Sequence, residues 1–220
     1  KIALQLQCYF LLKIIGDLYM DKLKKCAVIF KYLLNIQYKI KLARKGKLTE
    51  FNVNFKECDF HHLVGLQKLK DISRLKAKRE KVFNDILEDR ISYEMISSSP
   101  FFEKDEGKNI IGIKERIDYF LRITELLDSN NIYFKYSQNR NASSNIQCEY
   151  ILENKYLERI VYILLDKRTD SDYRYCRSFF PKDKKDYIVR QTRMTLLYKE
   201  KKNLLSGESI VQLNKLKKDL

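Results

Sequence analysis

Two stretches of this 220-residue chain carry side chains able to do chemistry. The first is Phe60 to Leu69, FHHLVGLQKL, which holds the chain's two histidines, His61 and His62, side by side. The second is Tyr173 to Lys202, which reads YRYCRSFF, then PKDKKD, then YIVRQTRMTLLYKEKK. Histidine is the residue that titrates near neutral pH unperturbed, so either one is a candidate general acid or base. Adjacent helical residues point about 100° apart, so at most one of the two faces a given site. The plainer reading is one packed and one exposed imidazole. A metal set of Cys58, His61 and His62 is a third option, with too few further ligands nearby to complete it.

In the second stretch Tyr173, Tyr175, Arg177 and Phe179 fall on one face of a strand by strict alternation. Arg174, Cys176, Ser178 and Phe180 fall on the other. A buried strand does not normally carry this many guanidiniums. A sheet face that meets phosphate does, because a planar guanidinium can give two parallel hydrogen bonds to phosphate oxygens. A turn opened by Pro181 would join the two runs into a hairpin that floors an RNA site. RNA can be cut without a metal if one group deprotonates its 2′-hydroxyl and cations stabilise the phosphorane. A binder needs only the basic face and stacking aromatics such as Tyr173, Tyr175 and Phe179.

Composition narrows the choice. Lys plus Arg number 44 against 29 Asp plus Glu, a net charge of +15 that favours polyanions. The sequence contains no GxxxxGK[ST], GxGxxG, GxSxG or HExxH, and no paired-carboxylate cluster for a two-metal nuclease. No cofactor and no metal are expected. Five scattered cysteines without a CxxC pair fit a reducing cytoplasm. No run of about 18 uncharged apolar residues predicts a membrane span. The apolar start lacks a small-residue cleavage site, which argues against a signal peptide. It would also suit a membrane-surface or helical-partner role.

The elements that must position these groups can be read from periodicity. Leu4 to Tyr19 reads as a helix, and residues 1–19 as an N-terminal helical extension. Residues 20–202 read as a single α+β domain, and 203–220 as a polar C-terminal helix or tail. Within the domain, Asp21 caps a helix over Lys22–Asn35 with Leu23, Ala27, Phe30 and Leu34 on one stripe. YKIKLAR (38–44) and EFNVNF (50–55) alternate like a hairpin. Asp59 is a good N-cap for Phe60–Leu69. Charged helices follow over Leu75–Asp89 and Ser92–Ser97, and residues 97–109 are a loop. Ile110–Asp128 reads as one amphipathic helix, with Ile113, Ile117, Phe120, Leu121, Thr124 and Leu127 buried. Lys114, Glu115, Arg116 and Asp118 form its solvated side. From Ile132 the period switches to two, giving five strands to Lys201, expected to pair antiparallel.

The runs FHHLVGLQKLKDI (60–72) and YCRSFFPKDKKDYIVRQTRMTLLYKEK (175–201) resemble the phage and mobile-element nuclease domains of the barnase–EndoU–colicin–RelE group, the PBECR families. The resemblance covers roughly residues 22–202. It implies helices and a small hairpin packed on a four- to five-stranded antiparallel sheet, a BECR-like fold with its active site on the sheet face. It implies a metal-independent endoribonuclease that works by 2′-hydroxyl transesterification, often as a toxin or effector. RNA, tRNA included, would be the substrate, and an antitoxin or immunity protein a partner. His62 matches the histidine of FxHLxG and would be the acid or base. Gly65 would permit close approach of helix and sheet. Arg177 and Arg190 would hold the scissile phosphate, with Gln191 beside them. His61, Ser178, Thr195, Tyr198 and Lys199 are secondary, substrate-binding candidates. A silent nucleic-acid-binding module on the same fold is the alternative.

Overall fold

The computed structural model describes residues 20–105, 112–140, 146–156 and 158–216. The extension expected at residues 1–19 lies outside them. Among the described residues are six α-helices: α1 (Lys22–Leu33), α2 (Glu57–Leu63), α3 (Arg79–Leu87), α4 (Tyr93–Ser97), α5 (Lys114–Phe120) and α6 (Ile123–Asp128). The eight strands are β1 (Ile36–Arg44), β2 (Lys47–Val53), β3 (Ile132–Lys135), β4 (Tyr150–Tyr156), β5 (Arg159–Lys167), β6 (Arg174–Pro181), β7 (Thr192–Asn203) and β8 (Ser209–Asn214).

The strands close on themselves. Their order is β1-β2-β6-β5-β4-β3-β7-β8, and β7 also pairs with β1, so seven strands make a barrel with β8 added outside on β7. A long β7 makes this possible. Its start pairs with β3 through Lys135↔Thr192 to Tyr133↔Met194, and its remainder runs along β1 from Ala43↔Thr195 to Ile36↔Asn203. Every neighbour is antiparallel except β2 and β6, which meet at one parallel bridge, Val53↔Arg174. The barrel is therefore mixed.

This overturns the expected four- to five-stranded antiparallel sheet beneath helices. The five predicted strands all form, but the β1–β2 hairpin joins the same sheet rather than standing apart. The predicted hairpin of β6 with β7 does not form, because β6 pairs with β5 and β2. Residues 209–214 are strand β8, not helix. The predicted helix over Ile110–Asp128 is two short helices, broken at Leu121–Arg122.

Strand faces and helices share one core. Tyr38, Ile40, Val53, Tyr133, Leu152, Ile163, Leu165 and Cys176 cluster with the apolar faces of the helices. Asp21 starts α1 by accepting from the Leu23 and Lys24 amides, and α1 buries Leu23, Cys26, Ala27, Phe30 and Leu33 at helical spacing. Phe30 is the hub of this core, with its ring 5.5–6.3 Å from those of Phe55, Phe60, Phe83 and Phe120. Phe120 in turn meets Phe179 of β6 at 5.7 Å. These contacts lock α1, α2, α3 and α5 to the barrel.

Candidate active site

Past its bridge to β2, strand β6 has α2 as its neighbour, and a cleft of about 390 Å³ opens between them. Helix α2 supplies Cys58, Asp59 and His62 to its wall, and β6 supplies Tyr175, Cys176, Arg177, Ser178 and Phe180. Gln67, Arg79 and Gln147 close it.

A β-bulge builds the strand wall. Opposite β6, Leu165 pairs with Cys176 but Leu164 pairs with Ser178, so Arg177 is an extra residue. Strict alternation would place Arg177 and Ser178 on opposite faces. The bulge instead buries Cys176 and Phe179, three positions apart, and turns the intervening Arg177 and Ser178 to the cleft beside Tyr175 and Phe180.

The helix wall is held from below. Lys56 is the N-cap of α2, and its amide donates to Asp59, the third helical residue, at 2.8 Å. Asp59 thus sits inside the helix rather than at the cap position. Its carboxylate also takes both terminal nitrogens of Arg168 at 2.5 and 3.2 Å, in a pair almost wholly removed from water. Arg168 binds the Asn54 side chain at 2.8 Å and lies 4.7 Å over the Tyr175 ring. One buried ion pair therefore fixes the start of α2, the β5–β6 connection and an aromatic of the cleft.

His62 is half-buried, and its ring makes no hydrogen bond among the described residues. Burial first, then the charges of Arg79, His61, Arg177 and Arg116, push its pKa down to about 4. It is therefore a neutral imidazole at physiological pH. Arg177 is tethered to Asp166 and gives a second bond to Gln147 at 3.2 Å. Arg79, the first residue of α3, is exposed and has no carboxylate partner among the described residues. One anchored and one free guanidinium flank an uncharged base.

Arg116 lies behind His62. It is only 7% exposed, donates to the His62 carbonyl at 3.2 Å and stands 5.5 Å over the Phe180 ring. Burial lowers its own pKa to about 10. Gly65 ends α2 in the left-handed region at φ +86, where a Cβ would meet Ile113 at 2.9 Å and Arg116 at 3.1 Å. Its close approach is thus to α5, not to the sheet. The sequence reading put Arg116 on the solvated face of its helix; the structure buries it. The signal was present, since position 116 lies three residues after Ile113 and four before Phe120, on the apolar stripe itself.

Of the predicted site residues, the structure brings together His62, Arg177 and Ser178. His61 is buried and turned away, with Nε2 3.0 Å from the Leu75 carbonyl and Nδ1 without a partner. Gln191 bonds both main-chain groups of Ser137, at 2.8 and 3.2 Å. Arg190 occupies an exposed turn at φ +62 and does not line the cleft. Thr195 and Tyr198 lie on β7 beside β1, Tyr198 bonded to Glu200. Lys199 is 1% exposed inside the barrel, donating to the Leu127 and Ser129 carbonyls at the end of α6. Arg79, Arg116, Gln67 and Gln147 are the residues sequence reasoning missed. Among the described residues no three His, Cys, Asp or Glu side chains converge as a metal site, and no helix is long and apolar enough to cross a membrane.

The cleft thus sets the His62 imidazole of α2 against Arg177 of the bulged strand β6 and Arg79 of α3, side-chain types suited to proton transfer and to phosphate binding. The chain belongs to the PBECR4 family, described as phage-Barnase-EndoU-ColicinE5/D-RelE like nuclease4, whose model matches residues 22–216. No curated protein and no solved structure matches it. Membership makes this a nuclease-family domain with nucleic acid as its substrate class.

Proposed function

We propose that the cleft between α2 and β6 is the active site of a metal-independent endoribonuclease. The observation that carries this reading is the neutral, unbonded His62 imidazole facing the cleft that Arg177 and Arg79 line. His62 takes the proton of a 2′-hydroxyl, and the resulting oxygen attacks the adjacent phosphorus. Arg177 and Arg79 hold the phosphate oxygens and stabilise the charge of the phosphorane. The 5′-oxygen leaves, giving a 2′,3′-cyclic phosphate. In this scheme the Tyr175 hydroxyl, on the cleft wall and without a hydrogen bond among the described residues, protonates the leaving oxygen. Ser178 adds a substrate contact, and Gln147 holds Arg177 in position. Arg190, Gln191, Thr195, Tyr198 and Lys199 have no part in this scheme, since the structure uses or places them elsewhere.

A cytoplasmic toxin or effector of a mobile element, held by an antitoxin or immunity protein, is the biological setting this chemistry suits. The second reading is a silent binding module. It is favoured by the turning away of His61, which leaves the cleft without a paired imidazole. Total RNA incubated in excess EDTA separates the two. The enzyme reading expects cleavage that His62→Ala and Arg177→Ala abolish, and growth arrest on expression that His62→Ala relieves. RNA that stays intact but shifts on a gel would leave only the binder.

A further inference from the structure

Over much of the molecule the cations are already neutralised. Glu50 takes both Lys39 and Lys41, Glu149 takes Lys135 and Arg174, and Asp128 takes Lys201. Lys22, Lys24, Lys56, Lys167 and Lys182 each have a carboxylate as well. The segment that wraps α2 differs. Between Gln67 and Glu80 the sequence sets Lys68, Lys70, Arg74, Lys76, Lys78 and Arg79 against Asp71 and Glu80. Asp71 is occupied by the Ser99 hydroxyl at 2.7 Å, and Arg74 by the Arg90 carbonyl at 3.0 Å. The side chains of Lys68, Lys70, Lys76, Lys78 and Arg79 make no hydrogen bond or ion pair among the described residues, and all but the partly covered Lys68 are exposed.

The segment is also rigidly tied to the cleft. Its short 3₁₀ turn, Ser73–Lys76, buries Leu75, whose carbonyl accepts from Nε2 of His61 at 3.0 Å. The residue beside His61 is His62, and both ends of the segment, Gln67 and Arg79, line the cleft. Burial first, then the charge of Arg116, lowers the pKa of Lys68 at the start of the segment to about 8.

We infer that the segment from Lys68 to Arg79 is a track for the phosphate backbone of a single-stranded nucleic acid entering the cleft. This rests on the cleft being the nuclease site. Unneutralised cations on a fixed ridge bind a polyanion by releasing its counterions, without reading bases. A single strand fits better than a duplex, because the reacting sugar and phosphate must turn into a recess, which a stacked duplex resists. His61, unused in the chemistry, thereby acts as a positioning residue that holds the track to α2.

The test is binding of a 12-nucleotide single-stranded DNA, which lacks the 2′-hydroxyl, across a salt series. The variants are Lys70→Gln/Lys76→Gln/Lys78→Gln on the track and, as control, Lys45→Gln/Lys47→Gln/Lys202→Gln. Single-strand contacts contribute about 0.7 each to the log–log salt slope, so the track variant should lose about 2 from it while the control keeps it. Cleavage of a dinucleoside monophosphate, too short to reach the track, should be unchanged in the track variant, and cleavage of a longer RNA should fall. Equal slopes for track variant and wild type, or tighter binding of a 12-base-pair duplex, would overturn the track while leaving the nuclease reading intact. A slope lost only in the track variant, with neither RNA cut, would uphold the track and remove the enzyme.

Discussion

The guanidinium of Arg116 donates to the main-chain carbonyl of His62 at 3.2 Å, from a position almost wholly removed from water. The contact pins the backbone of the proposed base and sets a positive charge behind its ring. That charge is one of the reasons, after burial, that the imidazole resists protonation. Replacing Arg116 with Met should let His62 charge more readily. The acid limb of kcat/KM, expected near pH 4 in the wild type, should move toward the ordinary histidine value of about 6.5. Arg116→Lys keeps the charge, so its limb should stay low while kcat falls. A pH–rate profile with the same limb in all three proteins would remove Arg116 from the site.

Gly65 is what lets that arginine in. Its left-handed φ and its contacts with Ile113 and Arg116 leave no room for a Cβ. Gly65→Ala should destabilise the fold by about 1–3 kcal/mol, combining backbone strain with overpacking. Urea denaturation would show a lower midpoint at unchanged m.

Asp59 and Arg168 form a buried pair under the cleft. Removing one partner strands the other's charge, so Asp59→Ala should cost about 3–5 kcal/mol. The double variant Asp59→Leu/Arg168→Met should cost less than Asp59→Ala alone, because no charge is then left uncompensated. Equilibrium unfolding of the two variants decides it.

Lys199 shows how part of the fold escaped the sequence. An alternating Lys-rich strand reads as solvated on one face, yet Lys199 points into the barrel and satisfies carbonyls at the end of α6. Burial lowers its pKa to about 8 from an ordinary 10.5. Between those values the unfolded chain binds more protons than the folded one, so this group's contribution to stability rises with pH across that window. Lys199→Met should lack this part of the rise. It should also lose about 1–3 kcal/mol at neutral pH, from the Leu127 carbonyl left without its donor, while the Ser129 carbonyl keeps Asn131. Denaturation at pH 7.5 and pH 10, compared between the two proteins, reads both effects.

The same residue explains what was and was not legible. Strand positions and the Asp21 cap were readable because alternation and capping are local. Barrel closure was not, since it rests on β1 meeting β7 about 160 residues later and on one bridge between β2 and β6; no local pattern encodes either. His62 and Arg177 were singled out by residue type and motif, and both line one cleft. Ser178 joined Arg177 there only because a bulge breaks the alternation that separated them. Arg190 and Gln191 were drawn in by a hairpin that does not form. Arg79 looked like one more charge in a charged segment.

In the proposed reaction His62 activates a 2′-hydroxyl beside a phosphate held by Arg177 and Arg79. Its most direct test is cleavage, in excess EDTA, of an RNA oligonucleotide and of the same oligonucleotide carrying one 2′-deoxy sugar at the mapped scissile position, with product ends identified by mass spectrometry. The all-RNA strand should give 2′,3′-cyclic phosphate ends, and the strand with the deoxy sugar should not be cut there. His62→Ala should lose about 10²–10⁴-fold in rate. Cleavage at the deoxy position, or ends without a cyclic phosphate at any time point, would contradict it.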